Sequence, residues 1–519
     1  MSLLVHLQVR FRAACIAFLA IYPGLVSGCS LNGLRGTFPE SRVLPPAETG
    51  RLQNFAAAVE TGLDAGESAL WLLDKADFAL DARLAMVDEA TQSLDIQYFI
   101  WEKDPSSRLF AHRIALAAER GVRVRILLDD LTLNGQDREY FGLDMHPNIE
   151  IRTFNPWNRR SKAGRFAEFA IRFGRLNNRM HNKIMVADGQ VGMVGGRNIG
   201  DRYFGLWDAF VQNDLDVLLT GPVVFDLRSS FDRYWNSTEA YPICAVIGRR
   251  TERQSFSDTF AFVSEFVTEH ADLLNKFPLQ PIDWGNFLER LESSVIAAPV
   301  EYVTDNPEIS RVRPEALIAP LIELLNSAEQ RVVISSPYLV PDEDFIETVG
   351  ELVGRGVEVV ILTNSMYSNN HKIAHTAYEQ ARRRLLRLGV ELYESRPDSS
   401  AIDYYTTSPA TPGFLGLHTK AAVVDGQRLY LGSANIDPRS LELNTELGLF
   451  VESAELAAGV LALIERDMQP EAAWKVELQG RRRLSWTAQD GTVYRQPAKG
   501  FAQRIAKFFI SLLPIKQQS

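Results

Sequence analysis

The sequence predicts an α/β protein: two tandem copies of one α/β sandwich domain, related by pseudo-twofold symmetry and sharing a single active site. Two observations carry that expectation. A sparse template, H-x-K-x4-D-x6-G-x-x-N, occurs first as His181, Lys183, Asp188, Gly195 and Asn198, and again as His418, Lys420, Asp425, Gly432 and Asn435. The chain holds only eight histidines, so two of them heading one template 237 residues apart point to a duplication. The second observation is that one order of elements precedes each copy. Phe78 to Thr91 reads as helix, Leu94 to Ile100 as strand, Ser107 to Arg120 as helix and Val122 to Leu128 as buried strand. Pro314 to Gln330, Arg331 to Ser336, Asp342 to Gly354 and Val357 to Leu362 repeat the series. Tyr98 aligns with Tyr338 and Gly121 with Gly356, at offsets of 240 and 235, close to that of the histidines.

Taken from the N-terminus, residues 1–28 have the form of an export signal. Arg10 and Arg12 precede an apolar run from Ala13 to Val26, shorter than the roughly 20 residues a spanning helix needs. The run ends in Val26-Ser27-Gly28-Cys29, which resembles a bacterial lipobox, so cleavage before Cys29 and lipidation of that residue are expected. Residues 29–65, with Leu44-Pro45-Pro46, read as a tether. The first repeat spans 66–245, a helical insert 246–305 and the second repeat 306–470. In the tail, 471–519, Phe501, Ile505, Phe508, Phe509 and Leu512 fall on one helical face. Loss of Cys15 with the leader and use of Cys29 for lipid leave Cys244 alone, so neither a disulfide framework nor a cysteine metal cluster is expected.

Each motif ends an apolar run in Asp-Gly, at Asp188-Gly189 and Asp425-Gly426, the signature of a tight hairpin. Strand alternation puts each His and the Lys two residues on along one side, and two such strands side by side would bring both pairs into one cleft. Two imidazoles divide the work of phosphodiester chemistry: one attacks phosphorus, the other protonates the departing alcohol, and the roles reverse for the acceptor. Lys183, Lys420, Asn198 and Asn435 are suited to the non-bridging oxygens, so the simplest reading needs no metal and no cofactor. The motif aspartates Asp188 and Asp425 complete the set, their turn positions favouring a structural role. His112 and His146 stand alone as surface or packing residues, and His371 and His375 fall in a loop of the second repeat.

The duplicated template resembles the HKD motif of the phospholipase D superfamily, and with the flanking Tyr98-Phe99-Ile100-Trp101 and Pro337-Tyr338-Leu339 the chain is similar to its cardiolipin synthase branch. The resemblance implies two tandem phospholipase D-like domains, His181 as nucleophile and His418 as acid/base. It also implies an acidic residue downstream of each motif to orient a histidine, for which Asp214 and Glu446 are placed. Gly196 stands where the second copy has Ser433, an asymmetry between the half-sites.

The formal charge of −10 speaks against a partner that binds through a basic track, so nucleic acid is not expected. Phospholipids and the bilayer are, and no obligate protein partner is implied. Phe166, Phe169 and Phe173 share one helical face among Arg159, Arg160, Lys162, Arg165, Arg172 and Arg175, which fits an interfacial helix and equally an ordinary helix with its stripe in the core. The expected activity is phosphatidyl transfer through a phosphohistidine, giving cardiolipin with phosphatidylglycerol as acceptor. Hydrolysis to phosphatidic acid, a secreted phosphodiesterase or nuclease, and a non-catalytic lipid-binding envelope protein are the alternatives. The expected location is the bacterial cell envelope, as a lipoprotein facing the periplasm.

Overall fold

The computed structural model describes residues 38–133, 135–247, 255–308, 316–369, 372–480, 483–494 and 496–497. The leader, Cys29 and the apolar stripe at 501–512 therefore lie outside the described residues.

Two sheets of matching order meet edge to edge. In the first repeat the parallel strands Ser93–Tyr98, Arg123–Asp129 and Ile149–Phe154 are extended on one side by the antiparallel strands Ile184–Ala187, Val191–Gly195, Asp216–Thr220 and Glu67–Leu73. In the second, Arg331–Ser335, Glu358–Asn364 and Glu391–Ser395 are extended by Ala421–Val424, Arg428–Gly432, Leu447–Glu452 and Ile296–Thr304 in the same order. Glu67 to Leu70 pair antiparallel with Ile296 to Pro299, joining the halves into one 18-stranded sheet. The strand Ile296–Thr304 thus belongs to the second repeat and not to the helical insert.

Local chemistry explains the elements that position the motifs. Asp104 caps the helix Pro105–Glu119 by accepting from Ser107 N–H, with Pro105 in the first turn. Gly121, at φ 97°, ends that chain direction and turns it into the next strand. In both motif hairpins the Asp and Gly take left-handed backbone: φ 53° and 65° at Asp188-Gly189, 52° and 67° at Asp425-Gly426. Ile184 and Val186 share one apolar core with Val217, Leu219, Ala421, Val423 and Leu449, so the backs of the two hairpins pack within a common interior.

Further expectations are corrected. The tether is no free spacer in its described part. Residues 38–50 lie against the body through backbone groups: Val43 N–H donates to Asp232, Arg228 to Leu44 O, and Ala47 N–H to Asp188 O. Arg51–Glu60 follows as a helix that buries Leu52, Phe55 and Val59. The tail begins as sheet, with Ala473–Gln479 pairing to Glu391–Ser395 and Arg483–Ala488 beside it, and Trp474 and Trp486 bury in the second core. The Tyr98–Tyr338 alignment is two residues out of step. Trp101 bridges Ile199 as Leu339 bridges Ile436, so Trp101 and Leu339 are equivalents. His375 lies on the helix Lys372–Leu388 and not in a loop, while His112 and His146 pack on Phe260 and Phe256.

Candidate active site

The halves are stitched crosswise where the motifs begin. His181 N–H donates to Thr445 O at 2.9 Å, and His418 N–H donates to Asn213 O at 3.0 Å. Leu415–Leu417 runs parallel to Val211–Asn213, and Met180 bridges Thr445. The two histidine segments are therefore not neighbours in one sheet, as strand alternation suggested. Each lies against the acid-bearing strand of the other repeat.

The consequence is an exchange of partners. His181 Nδ1 lies 2.8 Å from Glu446 Oε2, and His418 Nδ1 meets Asp214 Oδ2. Asp214 and Glu446, the residues expected to orient histidines, each meet the histidine of the opposite repeat. With Nδ1 engaged by a carboxylate, Nε2 is the nitrogen of each ring that the carboxylate leaves available. Phe99 stands edge-on to His181 at 4.9 Å and Tyr203 edge-on to His418 at 5.4 Å, fixing both ring planes.

Both lysines are buried beside their histidines: Lys183 Nζ donates to His181 O and Lys420 Nζ to His418 O. Burial pushes the Lys183 ammonium down to about 7 and that of Lys420 to about 8, against the pull of Glu446 and Asp214. Burial and then the lysine charges hold His181 well below the usual imidazole range and bring His418 down to about 3. A phosphodiester entering this ring of donors would bring negative charge that opposes those shifts.

The carboxylates differ. Burial drives Glu446 up to about 7, and Ser433 Oγ–H donates to its Oε2. Asp214 is also buried, but Lys420 and His418 outweigh that and hold it below the ordinary carboxylate value. Gly196 occupies the place of Ser433, and a Cβ there would overlap Asp214 Oδ1.

The asparagines also differ. Asn198 Oδ1 accepts from Ile100 N–H and its Nδ2 donates to Tyr203 OH, so much of this amide holds the loop. Asn435 Oδ1 has no partner among the described residues. The motif aspartates do not join the site. Asp188 takes four hydrogen bonds, from Thr91 N–H and Oγ1–H, Gln92 N–H and Ser93 N–H, at the far end of a four-residue strand about 13 Å long. Asp425 does the same with Glu329, Gln330 and Arg331 N–H. They pin the hairpin turn to the start of the neighbouring strand.

Sequence reasoning missed Phe99 and Tyr203 as ring supports, and a pair of arginines. Arg202 and Arg439 each follow a motif asparagine by four residues, at the histidine offset of 237. Arg202 pairs with Glu102, whereas Arg439 donates to the Asn177 side chain and carbonyl at 2.8 and 3.0 Å, and its charge reaches His181. The shared offset was the signal that would have found them.

The two repeats bring together two imidazoles, each with its own carboxylate and lysine and each feeling the other's lysine. Comparison with known proteins gives the family. Residues 84–235 and 321–468 match the family described as cardiolipin synthase, PLD-like domain. The chain is 35% identical over 466 residues to cardiolipin synthase C of Escherichia coli (strain K12), covering 87% of this chain and 96% of that protein. It is 27% identical over 401 residues to cardiolipin synthase A of Pseudomonas putida (strain GB-1), covering 77% and 68%. Its fold is shared with phosphatidylserine synthase of Haemophilus influenzae Rd KW20, with a TM-score of 0.56 over 88% of this chain and 97% of that one, at 14% identity. The chain belongs to the phospholipase D superfamily, in its cardiolipin synthase-like branch, and is a phospholipase D-type phosphatidyltransferase.

Proposed function

We propose that this protein makes cardiolipin by phosphatidyl transfer to phosphatidylglycerol, at the bacterial membrane. The observation that carries the reading is the crosswise pairing of His181 with Glu446 and His418 with Asp214, which gives one site two imidazoles with their Nε2 atoms free for chemistry. The kinship to cardiolipin synthases supports the choice of product.

In the first step His181 Nε2 attacks phosphorus of a donor glycerophospholipid. The P–N bond forms as the bond to the head-group oxygen breaks, and His418 gives that oxygen its proton. In the second, the terminal hydroxyl of phosphatidylglycerol gives its proton back to His418 Nε2, its oxygen attacks phosphorus, and the P–N bond breaks. With phosphatidylglycerol as donor as well, the products are cardiolipin and glycerol. Lys183, Lys420 and Asn435 hold the non-bridging oxygens, with the remaining N–H of Asn198 beside them. We further propose that lipidated Cys29 holds the enzyme on the periplasmic side of the envelope.

Incubation with labelled phosphatidylglycerol and phosphatidylethanolamine, separately and mixed, followed by lipid mass spectrometry, tests the reading. Cardiolipin with release of glycerol or ethanolamine is expected. Phosphatidic acid as the sole product would assign the enzyme to hydrolysis, and turnover of single-stranded DNA without any phospholipid product would overturn the lipid substrate altogether.

A further inference from the structure

The helix Lys162–Ile171 is turned inside out relative to ordinary amphipathic packing. Its buried residues are the charged Arg165 and Glu168, while Phe166 is 78% and Ile171 67% exposed. The charges fasten it: Glu168 accepts from the backbone N–H groups of Asn158 and Arg159, and Arg165 donates to Asp130 O. Phe169 packs on Trp157 and on Phe173, so the apolar stripe is continuous from protein to solvent. A helix whose polar contacts lie inward and whose large apolar side chains lie outward has its anchoring settled and its apolar face unused.

This helix lies just upstream of a motif histidine in the chain. Four and five residues past the end of its continuation Phe173–Leu176 come Met180 and His181, and Asn177 is the residue that receives Arg439. A second exposed aromatic group lies on the segments that lead to the other histidine. Trp207 is 41% exposed and packs on Phe210 at 4.7 Å, which stacks on Phe414 at 4.9 Å. Phe210 leads into Val211–Asn213 and Phe414 into Leu415–Leu417, the paired strands that deliver Asn213 to His418. Each histidine thus has an exposed aromatic rim on the segments that lead into the cleft.

We propose that these two rims are the membrane-docking surface of the enzyme, seating the mouth of the cleft on the head-group layer of an anionic bilayer, with Phe166, Ile171 and Trp207 inserted. The inference rests on the phospholipid reading above. Charge supports a lipid occupant: on a chain of net charge −10, the first rim is edged by the exposed Lys162 and by Arg172. Position supports it too, since a lipid phosphate drawn from a bilayer travels least when the apolar contacts flank the site that receives it.

Depth of insertion tests the proposal independently of any other anchor on the chain. In the full chain carrying Cys244→Ser, an environment-sensitive fluorophore is placed at Phe166→Cys, at Trp207→Cys and, as control, at Phe225→Cys. Phe225 is 67% exposed on the helix Val223–Trp235, which packs mainly on the strands Ile296–Thr304, Ile184–Ala187 and Asp216–Thr220. On vesicles of phosphatidylethanolamine and phosphatidylglycerol containing tail-labelled quencher lipid, the first two positions are expected to be quenched and the third is not. The variant Phe166→Ser/Ile171→Ser should lose about tenfold in turnover of vesicle phosphatidylglycerol while keeping, within about twofold, turnover of monomeric short-chain phosphatidylglycerol. Positions 166 and 207 unquenched on membrane-bound protein would overturn the proposal. So would a concentration-dependent blue shift at 166 without lipid, which would make the face an interface between copies of this chain. Quenching at both rims without any lipid turnover would instead leave the docking surface standing and remove the proposed reaction.

Discussion

The two half-sites share a backbone plan and differ in electrostatics. His418 faces Asp214, a carboxylate that Lys420 and His418 keep fully ionised, with Gly196 leaving room for it. His181 faces Glu446, which burial drives up to about 7 and which takes a hydroxyl hydrogen bond from Ser433. Duplication supplied two equal imidazoles, whereas the proposed reaction needs one that attacks and one that carries a proton. Unequal carboxylates are a means of making equal rings unequal.

The largest effect is expected at the rings. His181→Asn and His418→Asn should each lower lipid turnover by at least about four orders of magnitude, because neither ring replaces the other's role. They should fail differently. With a donor bearing a good leaving group, His418→Asn accumulates a phosphatidyl adduct on His181, detected by peptide mass spectrometry without acid quenching. An adduct on His418 in the reciprocal variant would reverse the assignment of roles.

Next comes the residue beside each acid. Gly196→Ser places a Cβ within Asp214, so the carboxylate must leave His418, and turnover should fall by about 10²–10³-fold. Ser433→Gly removes the hydroxyl that donates to Glu446 and accepts from Leu447 N–H, and about tenfold is expected. Equal losses would mean that the Gly/Ser difference carries no asymmetry.

The acids should also respond to pH in opposite senses. Glu446 is raised in the folded protein, so it favours folding fully below its unfolded value near 4.5, and that contribution is lost as pH rises through about 7. Asp214 is depressed, so its contribution is present above the unfolded value near 3.8 and is lost as pH falls through its lower folded value. At pH 7.5, Glu446→Gln should therefore be neutral or stabilising by about 1–3 kcal/mol and Asp214→Asn destabilising. Urea unfolding at pH 5 and 7.5 follows Glu446 and at about pH 3 and pH 5 follows Asp214, and a Glu446→Gln variant less stable than its parent at pH 7.5 contradicts the assigned shift.

The sequence made the half-sites legible because their chemistry dictates residue types at short range within one strand and turn. His181, Lys183 and their duplicates could be read for that reason, as could the Asp-Gly hairpins. The exchange of Asp214 and Glu446 between repeats could not, since spacing within a repeat says nothing of which strand crosses to the other. The strap at 38–50 is held mainly through its backbone groups, which leave no side-chain pattern. The helical period at 162–171 gave a stripe without telling which side faces water. Trp474, Val476 and Leu478 did alternate as a strand should, and that signal was passed over in favour of a tail.

The smallest expected difference lies in the two hairpin turns, where the motif aspartates test how far the duplication reaches in stability. Asp188 is fully buried, holds four donors, and abuts the strap at Ala47. Asp425 holds three donors at a half-buried turn beside Arg428, where water can replace part of what is lost. Removing a carboxylate strands its donors, and the cost is greatest where solvent has no access. Asp188→Ala should therefore cost about 2–4 kcal/mol and Asp425→Ala about 1–2 kcal/mol, read from urea midpoints at constant slope. Neither change touches a group at the cleft, so turnover per folded molecule should stay within about twofold in both. A selective loss of turnover in Asp188→Ala, with its stability intact, would return that residue to the catalytic set and end the purely structural account of the motif aspartates.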